Sequence, residues 1–190
     1  MKTIRIAILG STRGTDMLPI IAAIADQQLA ATIAVVISNK EQAIILERAR
    51  AHYLPAVFLD PTGLSRVEYD KLIQAELHKY QIDLVILIGY MRILSPALVN
   101  EWKNKIINVH PSLLPEFSGG MNNDVHAAVL AAGKSETGCT VHYVTTEVDA
   151  GPILLQKRCK VLPDDTVETL KTRVQQLEGA ALIETIASFA

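Results

Sequence analysis

Cysteine is scarce in this chain. Its two cysteines, Cys139 and Cys159, do not form a C-x-x-C pair, so neither a zinc site nor a disulfide framework is suggested, and two buried thiols in a reducing compartment are the default. An excess of one charge is also missing. The formal net charge is −2 and no basic run is long enough to form a stripe. That excludes a nonspecific polyanion binder and leaves open a local pocket for one phosphate. No apolar run reaches transmembrane length, and Met1-Lys2-Thr3 leads directly into a strand-like segment with no charged leader before a long apolar stretch. A soluble, cytoplasmic protein is expected, with no membrane or nucleic-acid partner. Neither G-x-G-x-x-G nor the Walker A pattern follows the first strand, where Gly10 and Gly14 are the only glycines and no lysine comes after them. Dinucleotide and ATP binding are therefore poorly supported. No internal repeat, low-complexity tract or linker breaks the chain.

Apolar residues, by contrast, are plentiful. They make up 49% of 190 residues against 20% charged, enough for a sizeable core in a single domain spanning 1–190. Residues 4–9 read as a strand, 10–16 as a loop and 17–29 as a helix, with Pro19 acceptable only in its first turn. Strand, glycine-bearing loop and helix is also the layout of a phosphate site, because backbone N–H groups and the positive helix terminus point at the anion. Arg13 would add charge to such a pocket, and Asp16 would oppose it unless it caps the helix. Loop composition alone favours a plain turn.

Residues 32–38 read as a second strand, 41–52 as a helix and 56–59 as a short strand. Residues 65–81 form an amphipathic helix with Leu72, Ile73 and Leu77 as its buried stripe. His78 near its end and His52 read as surface residues without a role. The run 83–88 is almost continuously apolar, as expected of a central parallel strand covered on both faces. The apolar loop 89–94 that follows has two explanations, burial beneath a neighbouring loop or a flat hydrophobic ligand. A helix then starts at Ser95-Pro96.

The next strand, 106–110, stops at Pro111. Alternation along a strand puts Asn108 and His110 on one face at its carboxyl end, where ligands bind in open α/β sheets. The pair can donate to one developing anion, and the imidazole can move a proton; a strand edge with two solvated polar residues is the alternative. A helix from about 123 to 132 carries Asp124 and His126, the latter read as a hydrogen-bonded structural residue. Strands 138–144 and 153–161 form an antiparallel pair, because their connection is too short for a crossover. His142 reads as a core or satisfied histidine. Asp164-Asp165-Thr166 caps a last helix ending near 187. Strands alternating with helices indicate an α/β fold, a mostly parallel sheet covered on both faces with antiparallel strands towards the C-terminal part.

Asn108-Val109-His110-Pro111-Ser112-Leu113-Leu114-Pro115, preceded by Gly89-Tyr90-Met91-Arg92-Ile93-Leu94-Ser95-Pro96 and followed by Asp149-Ala150-Gly151-Pro152, resembles the folate-dependent formyltransferase family. The resemblance covers nearly the whole chain. It implies a Rossmann-like sheet, 10-formyltetrahydrofolate as co-substrate, glycinamide ribonucleotide as acceptor in purine biosynthesis, and no metal. It places the catalytic groups on Asn108, His110 and Asp149. The folate pocket falls on Met91, Arg92, Ile93 and Leu94 with Thr145, Thr146, Glu147 and Val148, which would account for the apolar loop. The acceptor and its phosphate fall on Gly14, Thr15 and Asp16, with Glu178 from the last helix. The implied chemistry is attack of the acceptor amine on the formyl carbon, with Asn108 and a protonated His110 stabilising the oxyanion and Asp149 keeping the imidazole charged and holding a water for proton relay.

Three features depart from the family pattern. Gly14-Thr15-Asp16 stands where the family usually has glycine-serine-asparagine. An aspartate facing a phosphate is electrostatically poor, so its backbone N–H or Arg13 would have to compensate. The segment between Pro115 and His126 is longer, so His126 matches only if Gly120 to Asn123 hold an insertion. The chain also stops at Phe189-Ala190, where many relatives continue. Two other family activities are weighed against the implied one. A transferase acting on methionyl-tRNA would add a C-terminal domain and a basic surface. A deformylase would normally add an N-terminal regulatory domain, for which a strand starting at Ile4 leaves no room. A silent folate- or nucleotide-binding module is the reading of another class, and intact Asn108, His110 and Asp149 speak against it. A monomer and a homodimer are both compatible with the sequence.

Overall fold

In the computed structural model, which describes residues 3–120 and 123–190, strands and helices alternate along most of the chain. They are β1 (Ile4–Leu9), α1 (Met17–Ala25), β2 (Ala31–Ser38), α2 (Ile44–Ala51), β3 (Ala56–Phe58), α3 (Arg66–Lys79), β4 (Leu84–Leu87), α4 (Pro96–Glu101), β5 (Ile106–His110), α5 (Asn123–Ala131), β6 (Glu136–Tyr143), β7 (Ile153–Lys160) and α6 (Val167–Ala187). One sheet runs β3-β2-β1-β4-β5-β6-β7. Its pairs are parallel from β3 through β5, and β6 and β7 each run antiparallel to the strand before them. This is the expected α/β sheet with an antiparallel end.

The period-2 alternation of β1 builds two cores at once. Ile4, Ile6 and Ile8 point into a cluster with Met17 and Ile20 of α1 and Leu170, Val174 and Leu182 of α6. Ala7 and Leu9 point the other way, against Tyr69, Ile73 and Leu77 of α3 and Leu98 and Val99 of α4. Each fully buried isoleucine or leucine contributes about 1.5–3 kcal/mol of transfer free energy. β5 divides the same way: Ile107 and Val109 join the first cluster, while Ile106 joins the second and shares its face with Asn108 and His110.

Several boundaries differ from the sequence expectation. α1 stops at Ala25 rather than 29, because Gln27 turns left-handed at φ 58° and Gln28 N–H donates back to Ala23 O. α2 starts at Ile44 rather than 41, since the preceding residues serve the loop: Asn39 Oδ1 accepts from Ser11 Oγ, and Lys40 N–H donates to Ser38 Oγ. On α3 the buried stripe is Tyr69, Ile73 and Leu77, at i, i+4 and i+8, and Leu72 is 40% exposed one step round the helix. Ser65 and Glu68 close a capping box at its start. Thr166 caps α6 as expected, bonding the Thr169 N–H, and Asp165 pairs with Arg173. No helix among the described residues is long and apolar enough to cross a membrane.

The β6–β7 connection is tightly built. A Cβ added at Gly151 would lie 1.8 Å from the Tyr143 carbonyl oxygen, so the loop carrying Asp149 is closed directly onto the end of β6. Gly151→Ala is therefore expected to displace Asp149 and lower turnover by about tenfold to a hundredfold, the cost of a displacement near 1 Å. A kcat comparison at a temperature where circular dichroism shows the variant folded checks this. Unchanged kcat would mean the loop absorbs the methyl group elsewhere.

Candidate active site

The strand order reverses between β1 and β4, so the loops that leave these two strands diverge and open a crevice at their carboxyl ends. Ser11 ties the two loops together at the base. Its N–H donates to Gly89 O at 3.0 Å, and its hydroxyl accepts from Met91 N–H at 2.8 Å. The cavity above has a volume of about 760 Å³ and extends across the ends of β4, β5 and β6 to the face of α6.

Asn108 and His110 project into this cavity from one face of β5, and His110 is buried. Asp149 comes from the loop after β6, held in a left-handed conformation at φ 53°, which an aspartate tolerates better than most residues. Its Oδ2 accepts from Gly119 N–H at 2.8 Å and lies 3.4 Å from His110 Nδ1. His110 Nε2 is 3.1 Å from the Phe117 carbonyl oxygen. Both ring nitrogens of His110 thus face acceptors, an arrangement that a doubly protonated ring fills.

The sequence expectation for His142, a core or satisfied histidine, holds, but it is incomplete. It is buried, but it stands directly across from Asn108 in the β5–β6 register and lines the same cavity. Its Nδ1 donates to Tyr143 O at 2.9 Å, so its Nε2 is the acceptor for Asn108 Nδ2 at 3.2 Å. Burial pushes the His142 ring below the ordinary histidine range, which suits that neutral tautomer. Asp149 Oδ1 lies 3.6 Å from the same Nε2, placing the carboxylate between two histidines. The Asn108 amide is therefore oriented by its cross-strand partner, with its second N–H left for a ligand.

One side of the cavity mouth is apolar. Met91, Ile93 and Val148 stand exposed at its rim, and Leu94 packs into the second core beneath. The Arg92 guanidinium lies 4.5 Å from the Tyr69 ring centroid, so this side chain braces the loop against α3. Thr145 and Glu147 also line the wall. Thr146 does not: it is exposed and off the cavity, in a turn where Thr145 Oγ1 donates to Glu147 O.

At the opposite end, Gly14, Thr15, Asp16 and Glu178 come together with Arg13, Arg48 and Lys171. Arg48 Nη1 reaches Thr15 Oγ1 at 3.5 Å. Neither Arg48 nor Lys171 belongs to a recognisable motif; both arrive on helix faces that only the tertiary fold brings to the loop. Asp16 occupies the N-cap position of α1, yet its side chain makes no capping bond and its Oδ1 has no partner among the described residues. Burial pushes its carboxyl up to about 7. Glu178 is raised well above the ordinary range, first by burial and then by the charge of Asp16. An aspartate raised to about 7 opposes a phosphate less than one that is ionised throughout the neutral range.

A carboxyl raised on folding lends stability that is full below its unfolded value and lost as pH rises through its folded value. For Asp16 that window runs from 3.8 to about 7. Asp16→Asn should raise stability at pH 8 by roughly 2–4 kcal/mol, with the gap closing below about pH 4. Thermal unfolding of both proteins across this range checks it, and a gap independent of pH would contradict it.

The sequence expectation for His126 is a hydrogen-bonded structural residue. It is buried off the cavity wall, and its Nδ1 has no partner among the described residues. Burial first, then Lys171, lowers it to about 4, so it is neutral at pH 7. Of the longer 119–123 segment, Gly119 and Gly120 line the cavity and Gly119 N–H bonds Asp149, while residues 121 and 122 lie outside the described residues. Among the described residues no group of three or more His, Cys, Asp or Glu is placed to hold a metal ion.

Comparison with known proteins adds to this geometry. The family model described as formyl transferase matches residues 4–186. The trifunctional purine biosynthetic protein adenosine-3 of Gallus gallus is 40% identical over 179 residues, covering 94% of this chain and 18% of that protein. The chain thus spans about a fifth of the length of that relative. The phosphoribosylglycinamide formyltransferase of Escherichia coli (strain K12) is 38% identical over 190 residues, covering 97% of this chain and 86% of the relative. Among solved structures, the phosphoribosylglycinamide formyltransferase of Coxiella burnetii is 40% identical with a TM-score of 0.93, covering 100% of this chain and 88% of that one.

Proposed function

The chain belongs to the formyl transferase family, and we propose that it moves a formyl group from 10-formyltetrahydrofolate to the amine of glycinamide ribonucleotide in purine biosynthesis, with Asn108, His110 and Asp149 as its catalytic residues. The observation that carries this reading is their convergence at mid-cavity, between an apolar rim and a cationic far end. A pteridine suits the rim of Met91, Ile93 and Val148, with Arg92, Leu94, Thr145 and Glu147 completing that wall. A phosphate suits Gly14 and Thr15 at the start of α1, beside Arg48 and Lys171. The reacting centre then falls between them.

The reaction is acyl transfer by direct attack. The neutral acceptor amine forms a bond to the formyl carbon, and the carbonyl electrons move onto oxygen. The free N–H of Asn108 and the Nε2–H of His110 donate to that oxygen, the latter exchanging the Phe117 carbonyl for it as charge develops. Each donor is worth on the order of 3 kcal/mol in comparable oxyanion sites. Collapse breaks the bond from the formyl carbon to folate N10. The proton lost by the amine passes to N10 through a water held by Asp149, and the same carboxylate balances the charge on His110. No metal enters these steps. Two free cysteines support a cytoplasmic setting. Residues 1–190 are read as one formyltransferase domain acting as a monomer or homodimer on small molecules.

Release of tetrahydrofolate by purified protein, with and without glycinamide ribonucleotide, tests the reading. Release that requires the acceptor is expected. Release without it would mean water is the acceptor, and no release in either case would leave a binding module.

A further inference from the structure

The acceptor end holds a device that formyl transfer itself does not use. Asp16 at the start of α1 and Glu178 on α6 are both at least nine-tenths buried, at 9% and 5% exposure, and both line the cavity. The helices carrying them cannot move apart freely: Gly179 sits so close to Pro19 that a Cβ would lie 2.6 Å from its ring. Two ionised carboxylates held in so dry a place repel each other and lose hydration, so the pair retains a proton near neutral pH. A protonated carboxyl carries an O–H donor, whereas an ionised one only accepts. The Asp16 carboxyl makes no capping bond, and what surface it keeps borders the cavity, so an O–H there is free for a ligand.

We propose that the Asp16–Glu178 pair binds the acceptor in its protonated form, with the Asp16 carboxyl donating its O–H to the acceptor's phosphate. The acid thereby does what a side-chain amide would do at this position, but only while it keeps its proton. Arg13, Arg48 and Lys171 are the cations that face the phosphate, and Glu168 on α6 opposes them. Cys139 on β6 lies near enough to feel both carboxyls, but burial holds its thiol at about 12, so it stays neutral. His126 on α5 is neutral above about 4. His110, His142, Asp124 and Asp149 line the same cavity, but these groups are common to the natural protein and an Asp16 variant, so a comparison of the two leaves the carboxyl pair to set the step.

This inference rests on the acceptor assignment above, and direct binding separates the two. The dissociation constant of glycinamide ribonucleotide is measured by calorimetry from pH 6 to pH 9, without folate, for the natural protein and Asp16→Asn. Dividing one constant by the other cancels the ligand's own phosphate and amine titrations. The natural protein should weaken by about tenfold relative to the variant between pH 6 and pH 8, as expected for a site that needs a proton lost near 7. Glu178→Gln should leave that step in place, because burial rather than a neighbouring charge raises Asp16. A ratio constant with pH overturns the proposal while leaving the acceptor assignment intact. Failure of the natural protein to bind glycinamide ribonucleotide at pH 6 overturns both, and ribose 5-phosphate titrated in parallel then shows whether a phosphate site exists at all.

Discussion

Asp149→Asn is expected to lower kcat by about three orders of magnitude while leaving the fold in place, the middle of the range for loss of a proton-transfer group. The replacement is isosteric and keeps one carbonyl oxygen, which can still accept from Gly119 N–H. Three properties are lost. The amide takes no proton from a water at the reacting centre. It carries no negative charge beside His110 Nδ1, so an imidazolium there loses its nearest counter-charge. Its N–H₂ side would face His142 Nε2, the acceptor already used by Asn108, and so would compete for the bond that aims the amide. The left-handed backbone at position 149 suits asparagine as well as aspartate, so stability should barely move. Stopped-flow or steady-state kinetics together with thermal unfolding check both halves. Near-normal transfer in a folded variant would remove Asp149 from the mechanism.

The second large effect is expected at Asn108. Asn108→Ala should reduce kcat by about a hundredfold to a thousandfold, with a much smaller rise in either substrate's KM, because the contact strengthens as the oxygen becomes an anion. The truncation also leaves His142 Nε2 without its donor in a buried place, at a cost of about 1–3 kcal/mol in stability. A drop in kcat should therefore come with a modest fall in Tm. A pure KM effect would mean that Asn108 only binds.

Much of the fold is legible in the sequence, because apolar runs, glycine-bearing loops and capping residues act locally. β1, β5 and the start of α6 lie where alternation and Thr166 put them. That Asn108 and His110 share a face follows from strand alternation, but their reading as a site rather than a solvated edge needed the family resemblance. Asp149 does not follow from alternation, since a loop residue reaches its partner through the β6–β7 closure at Gly151, which no local pattern records. His142 needed the β5–β6 register: once Asn108 pairs with it, its place in the site follows, but the register depends on tertiary packing. Helix ends were less legible, because Gln27 and Asn39 end or delay helices through bonds particular to this chain. The state of Asp16 was the least accessible. The residue type suggests a charge, and only the burial that the fold imposes raises its carboxyl to about 7.

Product identity tests the central claim most directly. The protein is incubated with 10-formyltetrahydrofolate labelled with ¹³C in the formyl group and an excess of glycinamide ribonucleotide, and the products are followed by NMR and mass spectrometry. The mechanism built on Asn108, His110 and Asp149 predicts the label in a formamide on the acceptor amine, formed at the same rate as tetrahydrofolate. Label appearing instead as free formate, with the acceptor unchanged, would contradict it.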